Sequence, residues 1–451
     1  MITCAEENVD APKRDGSSGW LFPGEYNMKL DFDLKEKAGR TADHLLLSFK
    51  WVLFGTLVGL VVGFCASVFA KTILLATSFR LSHTWIIFLM PAAGIIIVYL
   101  YHRAGSAGVG GTNLILASIR KGEEVPAALA PLIFVATSLT HLTGGSAGRE
   151  GAALQMGGSM SSAIARLLHF PEEDRRQVIM CGMSAAFSAL FGTPLAAAVL
   201  PMEISTVGIM YHSAFVPCVI SALTAHFVAG WLGLGSEQML LTSVPSFDVI
   251  DMGQVAVFAI LCSLVAILFC ATMHEAEHIL SQKVPNDYIK GVGAGVIIIA
   301  LTLLVGDQTY NGAGSNIIEA CVVEPGFRVP WYAFLLKIIF TVITLSGEYK
   351  GGEIVPSLFI GATFGNFFAS LTGFDPGLCA AVGMASVFCG VTNCPIASLL
   401  ISFELFGFEA MPFFLLAVAM AYLFSGNYGL YHGQLIRYSK VGVKRIDQHT
   451  R

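Results

Sequence analysis

Long uncharged apolar runs alternate with short polar, glycine-rich interruptions along most of this chain. Residues 85–101, 204–236 and 255–273 contain no Asp, Glu, Lys or Arg, and residues 51–79 contain only Lys71. As helices rising 1.5 Å per residue, these runs are about as long as, or longer than, a crossing of roughly 30 Å of hydrocarbon requires. Backbone groups in lipid must be satisfied within helices or a closed barrel. Barrel strands alternate apolar and polar residues over about ten positions, and these runs do not. The pattern predicts an all-α polytopic membrane protein with many helices, several of them short, tilted or broken.

The interruptions repeat. "GMSAAFSALFGTPLAAAVLPMEI" from Gly182 aligns without gaps with "GMASVFCGVTNCPIASLLISFEL" from Gly383, with six of 23 positions identical. "GREGAALQMGG" from Gly148 lines up with "GEIVPSLFIGA" from Gly352 at nearly the same offset. The order implies a duplicated transmembrane domain over 45–435, with halves at roughly 45–240 and 250–435. Paired halves with glycine-interrupted segments in corresponding places are the sequence pointer to a transport site near the bilayer midplane.

Composition supports this and removes other classes. Of 451 residues, 55% are hydrophobic and only 13% charged, about half the ~25% usual in soluble domains. The net charge of −5 is spatially segregated. Residues 1–44 read as a cytosolic N-terminal segment of mixed charge. No charged region followed by an apolar core opens the chain, so no cleavable signal peptide is expected. Lys440, Lys444, Arg445 and Arg451 give the short tail 436–451 a cytosolic character. The expected location is therefore the cell membrane, multi-pass, with both termini in the cytosol. Ten cysteines form no CxxC pair. Cys65, Cys262, Cys270 and Cys389 lie in apolar runs and read as small buried hydrophobes. Eleven histidines show no HExxH spacing, so no metal or other cofactor is expected. Nothing resembles a nucleotide-binding P-loop.

The stretch "GGSAGREGAALQMGGS", residues 144–159, carries the chemistry. A helix beginning after such glycines presents free N–H groups and a partial positive charge, which together bind anions. Glycine lets the backbone N–H groups, rather than side chains, line the site. "GGEIVP" from Gly351 offers a second such helix start, and "GVGGT" from Gly108 places a hydroxyl, Thr112, after a third. Tyr431 supplies another hydroxyl near the end of the chain. Glu150 then has a role. Deprotonated, its carboxylate occupies the place an anion would take; protonated, it leaves and opens the path. The competing reading is a structural ion pair with Arg149, which otherwise steers anions.

At these residues the chain resembles the CLC family of chloride channels and anion/proton antiporters over nearly its whole length. "GREGA" is similar to the family's GREGP, with Ala152 for proline; "GGEIVP" is similar to GGxFxP; "GGT" is similar to the serine-bearing GSGIP. "GTPLAAAVLPMEI" resembles the proline-led helix that follows. The resemblance implies a homodimer of inverted-repeat subunits, one anion pathway in each. It implies that Glu150 is the gating and proton-carrying glutamate. It implies that Thr112 and Tyr431 coordinate the central anion, helped by backbone N–H groups near Gly151, Ile354 and Val355. Chloride is the expected substrate, with protons as the gating or exchanged species; nucleic acid has no place in this reading.

Fluoride/proton antiport is the alternative. "GTNLI" and "GGEIVP" resemble fluoride-exporting members at several positions, whereas the Thr112 hydroxyl favours chloride. At the position of the family's inner proton-relaying glutamate stands Ile204, with Glu203 one residue earlier. One residue turns a helical side chain by about 100°, so Glu203 is not expected to face that path. Glu203 and its repeat partner Glu404 are expected to cap or pair near helix ends. Glu353 either orients its loop or faces water. An enzyme would need a second reactive polar partner for Glu150, and no carboxylate pair, Ser/His set or metal cluster accompanies it, so transport rather than catalysis is expected.

Overall fold

The computed structural model describes residues 23–105, 111–121, 125–241, 243–324, 326–442 and 444–451. The glycines at 108–110, residues 122–124 of the loop after Arg120, and residues 1–22 of the N-terminal segment lie outside these. Residues 1–51 and 52–451 are two units; of the first, the start of helix α1 (Pro23–Ser82) is described. All that follows concerns the second.

Its apolar runs are helices. In the first half α1 continues and is followed by α2 (Met90–Arg103), α3 (Gly111–Lys121), α4 (Leu129–Thr143), α5 (Glu150–Leu167), α6 (Arg175–Phe191), α7 (Pro194–Ile204) and α8 (Phe215–Trp231). The second half holds α9 (Val249–Lys283), α10 (Asp287–Val305), α11 (Ser315–Val323), α12 (Ala333–Ser346), α13 (Ile354–Thr372), α14 (Pro376–Thr392), α15 (Pro395–Phe406) and α16 (Met411–Phe424). Six helical segments among the described residues are long and apolar enough to cross a membrane, and six shorter apolar helices pack among them. The all-α expectation holds, with a small addition. Strands β1 (Thr206–Val207), β2 (Leu435–Tyr438) and β3 (Arg445–His449) form a sheet in that order, β1 parallel and β3 antiparallel to β2. Most of the tail is thus a hairpin that docks beside the end of α7.

The duplication read from sequence is physical. At the α5–α6 crossing, a Cβ on Gly182 would fall 2.1 Å from the Gly157 carbonyl oxygen; at the α13–α14 crossing, one on Gly383 would fall 2.2 Å from that of Gly361. Both helix pairs approach backbone to backbone, which only glycine permits. α6 stops at left-handed Gly192 (φ 70°) and α14 at left-handed Asn393 (φ 58°). α7 and α15 each restart on proline, behind Thr193 (φ −115°, ψ 76°) and Cys394 (φ −116°, ψ 76°). Proline suits a first helical position because its missing N–H has no partner to lose there.

The halves also cap one another. Both carboxylate oxygens of Glu404 accept from the α7 start, Leu195 N at 2.8 Å and Ala196 N at 2.9 Å. Both oxygens of Glu203 accept from the α15 start, Ile396 N at 3.1 Å and Ala397 N at 2.9 Å. Each carboxylate therefore satisfies N–H groups that the opposite helix cannot satisfy itself.

Candidate functional site

The two glycine-rich turns meet in the protein interior. Gly148 N donates to Gly352 O at 2.7 Å and Gly352 N to Gly148 O at 2.8 Å, an isolated antiparallel bridge. The bridge sets the starts of α5 and α13 side by side. There is no room for side chains: a Cβ on Gly352 would lie 2.5 Å from Gly151 N, and one on Gly351 would lie 2.4 Å from Ala147 Cβ. Polar side chains fix the turns from outside. Ser146 N donates to Thr344 Oγ1 at 3.0 Å. Tyr349 Oη lies 2.7 Å from the Met90 carbonyl and 3.0 Å from that of Gly291 and shares its one proton between them, tying the second turn to α2 and α10.

Glu150 is the first residue of α5 and 1% exposed. Its Oε2 accepts from Arg149 N at 2.9 Å and its Oε1 from Arg149 Nε at 3.2 Å. Arg149 Nη2 also binds Glu237, a partly exposed residue of the loop before α9. The guanidinium therefore bridges a buried carboxylate to one reached by solvent. Two further basic side chains, Arg80 and Lys337, are buried near the first turn. Arg80 Nε donates to His141 O at 3.1 Å, with Nη1 bound to Gln308. Lys337 Nζ donates to Gly312 O at 2.7 Å and Tyr310 O at 3.3 Å. Their partners are carbonyl and amide oxygens, so neither is paired with a carboxylate.

Two cavities are lined by residues of these joined helix starts. One, of about 320 Å³, is lined by Thr112, Ala152, Gln155, Gly351, Glu353 and Tyr431 among others. It unites Thr112 at the start of α3 with Tyr431, 319 residues later. Gln155 Nε2 donates to Thr112 Oγ1 at 2.9 Å, which fills one lone pair and leaves the hydroxyl proton free to point at an anion. The Tyr431, Thr137 and Ser346 hydroxyls on the same cavity are buried without a protein partner, as is Glu353 Oε2. Further out, Lys290 and Lys350 flank Glu348 at 3.6 and 3.0 Å. The other cavity, of about 270 Å³, is lined by Glu237, Val355 and Glu319. Gly151, Ile354 and Glu150 line neither; they belong to the wall of joined helix starts, whose Ala152 and Glu353 line the first cavity and whose Val355 lines the second.

Sequence reasoning placed Glu150, Gly151, Thr112, Ile354, Val355 and Tyr431, and these converge on the wall and the two cavities. It missed Gln155 and Glu237. Gln155 carried a signal, as an amide five residues after Glu150 on an otherwise small and apolar helix. Glu237 carried none, since loop spacing does not reveal that it reaches Arg149. Among the described residues, no group of three or more His, Cys, Asp or Glu side chains is arranged to hold a metal.

Comparison with known proteins decides the family. The model for voltage gated chloride channels matches residues 93–426. The chain belongs to the CLC family. A relative named "Chloride/fluoride channel protein" from Pseudomonas syringae pv. tomato is 32% identical over 395 residues, covering 87% of each chain. The crystal structure of a CLC-type fluoride/proton antiporter superposes with a TM-score of 0.83 at 32% identity, over 86% of this chain and 98% of that one. A slow cyanobacterial Cl⁻/H⁺ antiporter shares the fold, with a TM-score of 0.72 at 17% identity over 83% of this chain and 94% of that one. This CLC chain is thus a multi-pass membrane protein of two inverted-topology halves. Members of the family are channels or antiporters and not enzymes.

Proposed function

We propose that this CLC protein moves small inorganic anions across the membrane in exchange for, or gated by, protons carried on Glu150. The observation that carries the reading is the Gly148–Gly352 bridge. It brings the starts of α5 and α13 side by side in the protein interior, with a buried carboxylate on the first turn of one of them. Glu150 serves as gate and proton carrier. Thr112, oriented by Gln155, and Tyr431 donate hydroxyls to the anion; N–H groups around Gly151, Ile354 and Val355 supply the rest. The protein works without a cofactor, as a homodimer in the bilayer with both termini in the cytosol.

Fluoride is the favoured substrate. Its small radius and strong hydration call for several donors at once, and the cavity presents unpartnered hydroxyls from Thr137, Ser346 and Tyr431. The two relatives at 32% identity carry fluoride in their names. Chloride is the second reading, supported by the Thr112 hydroxyl. Efflux of fluoride and chloride from a single proteoliposome preparation, with proton movement recorded simultaneously, tests both. Faster fluoride efflux with opposing proton movement is expected. Equal or faster chloride efflux overturns the fluoride preference, and anion efflux that neither moves protons nor depends on pH overturns the role of Glu150.

A further inference from the structure

The family's inner relay position holds Ile204, and both oxygens of the adjacent Glu203 are taken up by the start of α15. A proton reaching the anion cavity from the tail side needs another route. The structure offers one. Glu277 and Ser281, near the end of α9, line the anion cavity and also a second, open cavity of about 630 Å³. On that second cavity the rings of His274 and His432 stack with centroids 3.6 Å apart and planes at 27°. His432 Nε2 lies 3.9 Å from Glu277 Oε2. His274 Nε2 is 3.3 Å from Leu430 O, so the stack is anchored beside Tyr431 and its unpartnered hydroxyl.

We propose that His274, His432 and Glu277 form a proton port serving the anion site. The histidine pair takes a proton from the open cavity, passes it from His432 Nε2 to the Glu277 carboxylate, and Glu277 hands it through water in the anion cavity to Glu353, beside Gly151. Glu353 lines that cavity with one oxygen free to receive it. A Cβ on Gly151 would lie 3.2 Å from that oxygen, which places the acceptor one residue from Glu150. Each transfer moves one proton and leaves the donor ready for reloading. Imidazole is the side chain whose ordinary charge change lies nearest neutral pH; burial and the neighbouring His449 hold His432 below that ordinary value, and two positive rings at this separation repel, so the stack carries at most one proton at a time. The groups facing it are Glu275 and His278 on α9, Tyr428 before the tail, and Arg451 at the chain end. His449 Nδ1 lies 2.9 Å from His432 O. Lys350 and Glu348 act on Glu277 from the anion cavity.

The inference rests on the proton-coupled reading above. The test uses full-length protein in proteoliposomes loaded with fluoride, with fluoride and proton fluxes recorded together from pH 5.5 to 8. Wild-type turnover should fall as pH rises across this interval, by up to about tenfold per unit, because the downward-shifted pair is already losing its proton there. H274Q/H432Q, and H432Q alone at its half-exposed position, should flatten that fall to less than about twofold while the proton-to-fluoride ratio stays unchanged. A merely structural role would lower turnover evenly at every pH, and that result overturns the port. So does a variant profile that superimposes on wild type while protons still move. If wild-type protein moves fluoride with no protons at all, the coupled reading falls and the port with it.

Discussion

Three side chains fix the positions of Glu150 and Thr112. Arg149 holds Glu150 through its backbone N–H and guanidinium, while Glu237 draws on the same guanidinium from the other side. Gln155 prepares Thr112 by occupying its acceptor side. Gln155→Leu removes that restraint and leaves a buried hydroxyl unoriented. It should weaken anion binding by about 1–2 kcal/mol, or roughly five- to thirtyfold, with folding intact. Isothermal titration with fluoride in detergent checks this, and unchanged affinity would remove Gln155 from the site. The hairpin is less forgiving. In Gly352→Ala the new methyl would sit 2.5 Å from Gly151 N, so the bridge must open. Transport should be lost and the thermal unfolding midpoint lowered. A variant of wild-type stability and rate would contradict the close approach.

At the scale of elements, the starts of α7 and α15 depend on each other's half. Glu203→Gln or Glu404→Gln replaces one of two charged acceptors with an amide NH₂ facing a backbone N–H. Each should cost about 1–3 kcal/mol, read as a lower unfolding midpoint, with an unchanged proton-to-anion ratio. An altered ratio at wild-type stability would instead place Glu203 in the proton route. This pairing shows where sequence reading stops. The repeat linking 182–204 with 383–405 was legible because identical residues fell at one offset, and duplicated glutamates implied helix ends. Which ends they cap was not legible, because each partner lies in the opposite half, about 200 residues away. The site divides likewise. The glycine turns announced themselves because backbone approach restricts the residue type, and Glu150 because charge is costly among apolar runs. The bridge between the turns, the reach of Glu237 to Arg149 and the stacking of His274 on His432 are tertiary contacts without local periodicity. The tail read as a charged terminus, since its two strands are short and their sheet partner, β1, is two residues long.

In the whole molecule, one wall carries two cavities that share no lining residue. The wall is the pair of helix starts joined by the glycine bridge, and Glu150 stands in it. Glu237 and Val355 face one cavity; Thr112, Glu353 and Tyr431 face the other. Movement of an anion through the wall requires Glu150 to give up its donors, and protonation is what weakens its hold on them. Glu150→Gln imitates the protonated state permanently and is close in volume. The decisive measurement is simultaneous fluoride and proton flux through this variant in proteoliposomes. Fluoride movement that persists or changes in rate while proton movement falls to background is the predicted result. Fluoride and proton fluxes both indistinguishable from wild type would contradict it.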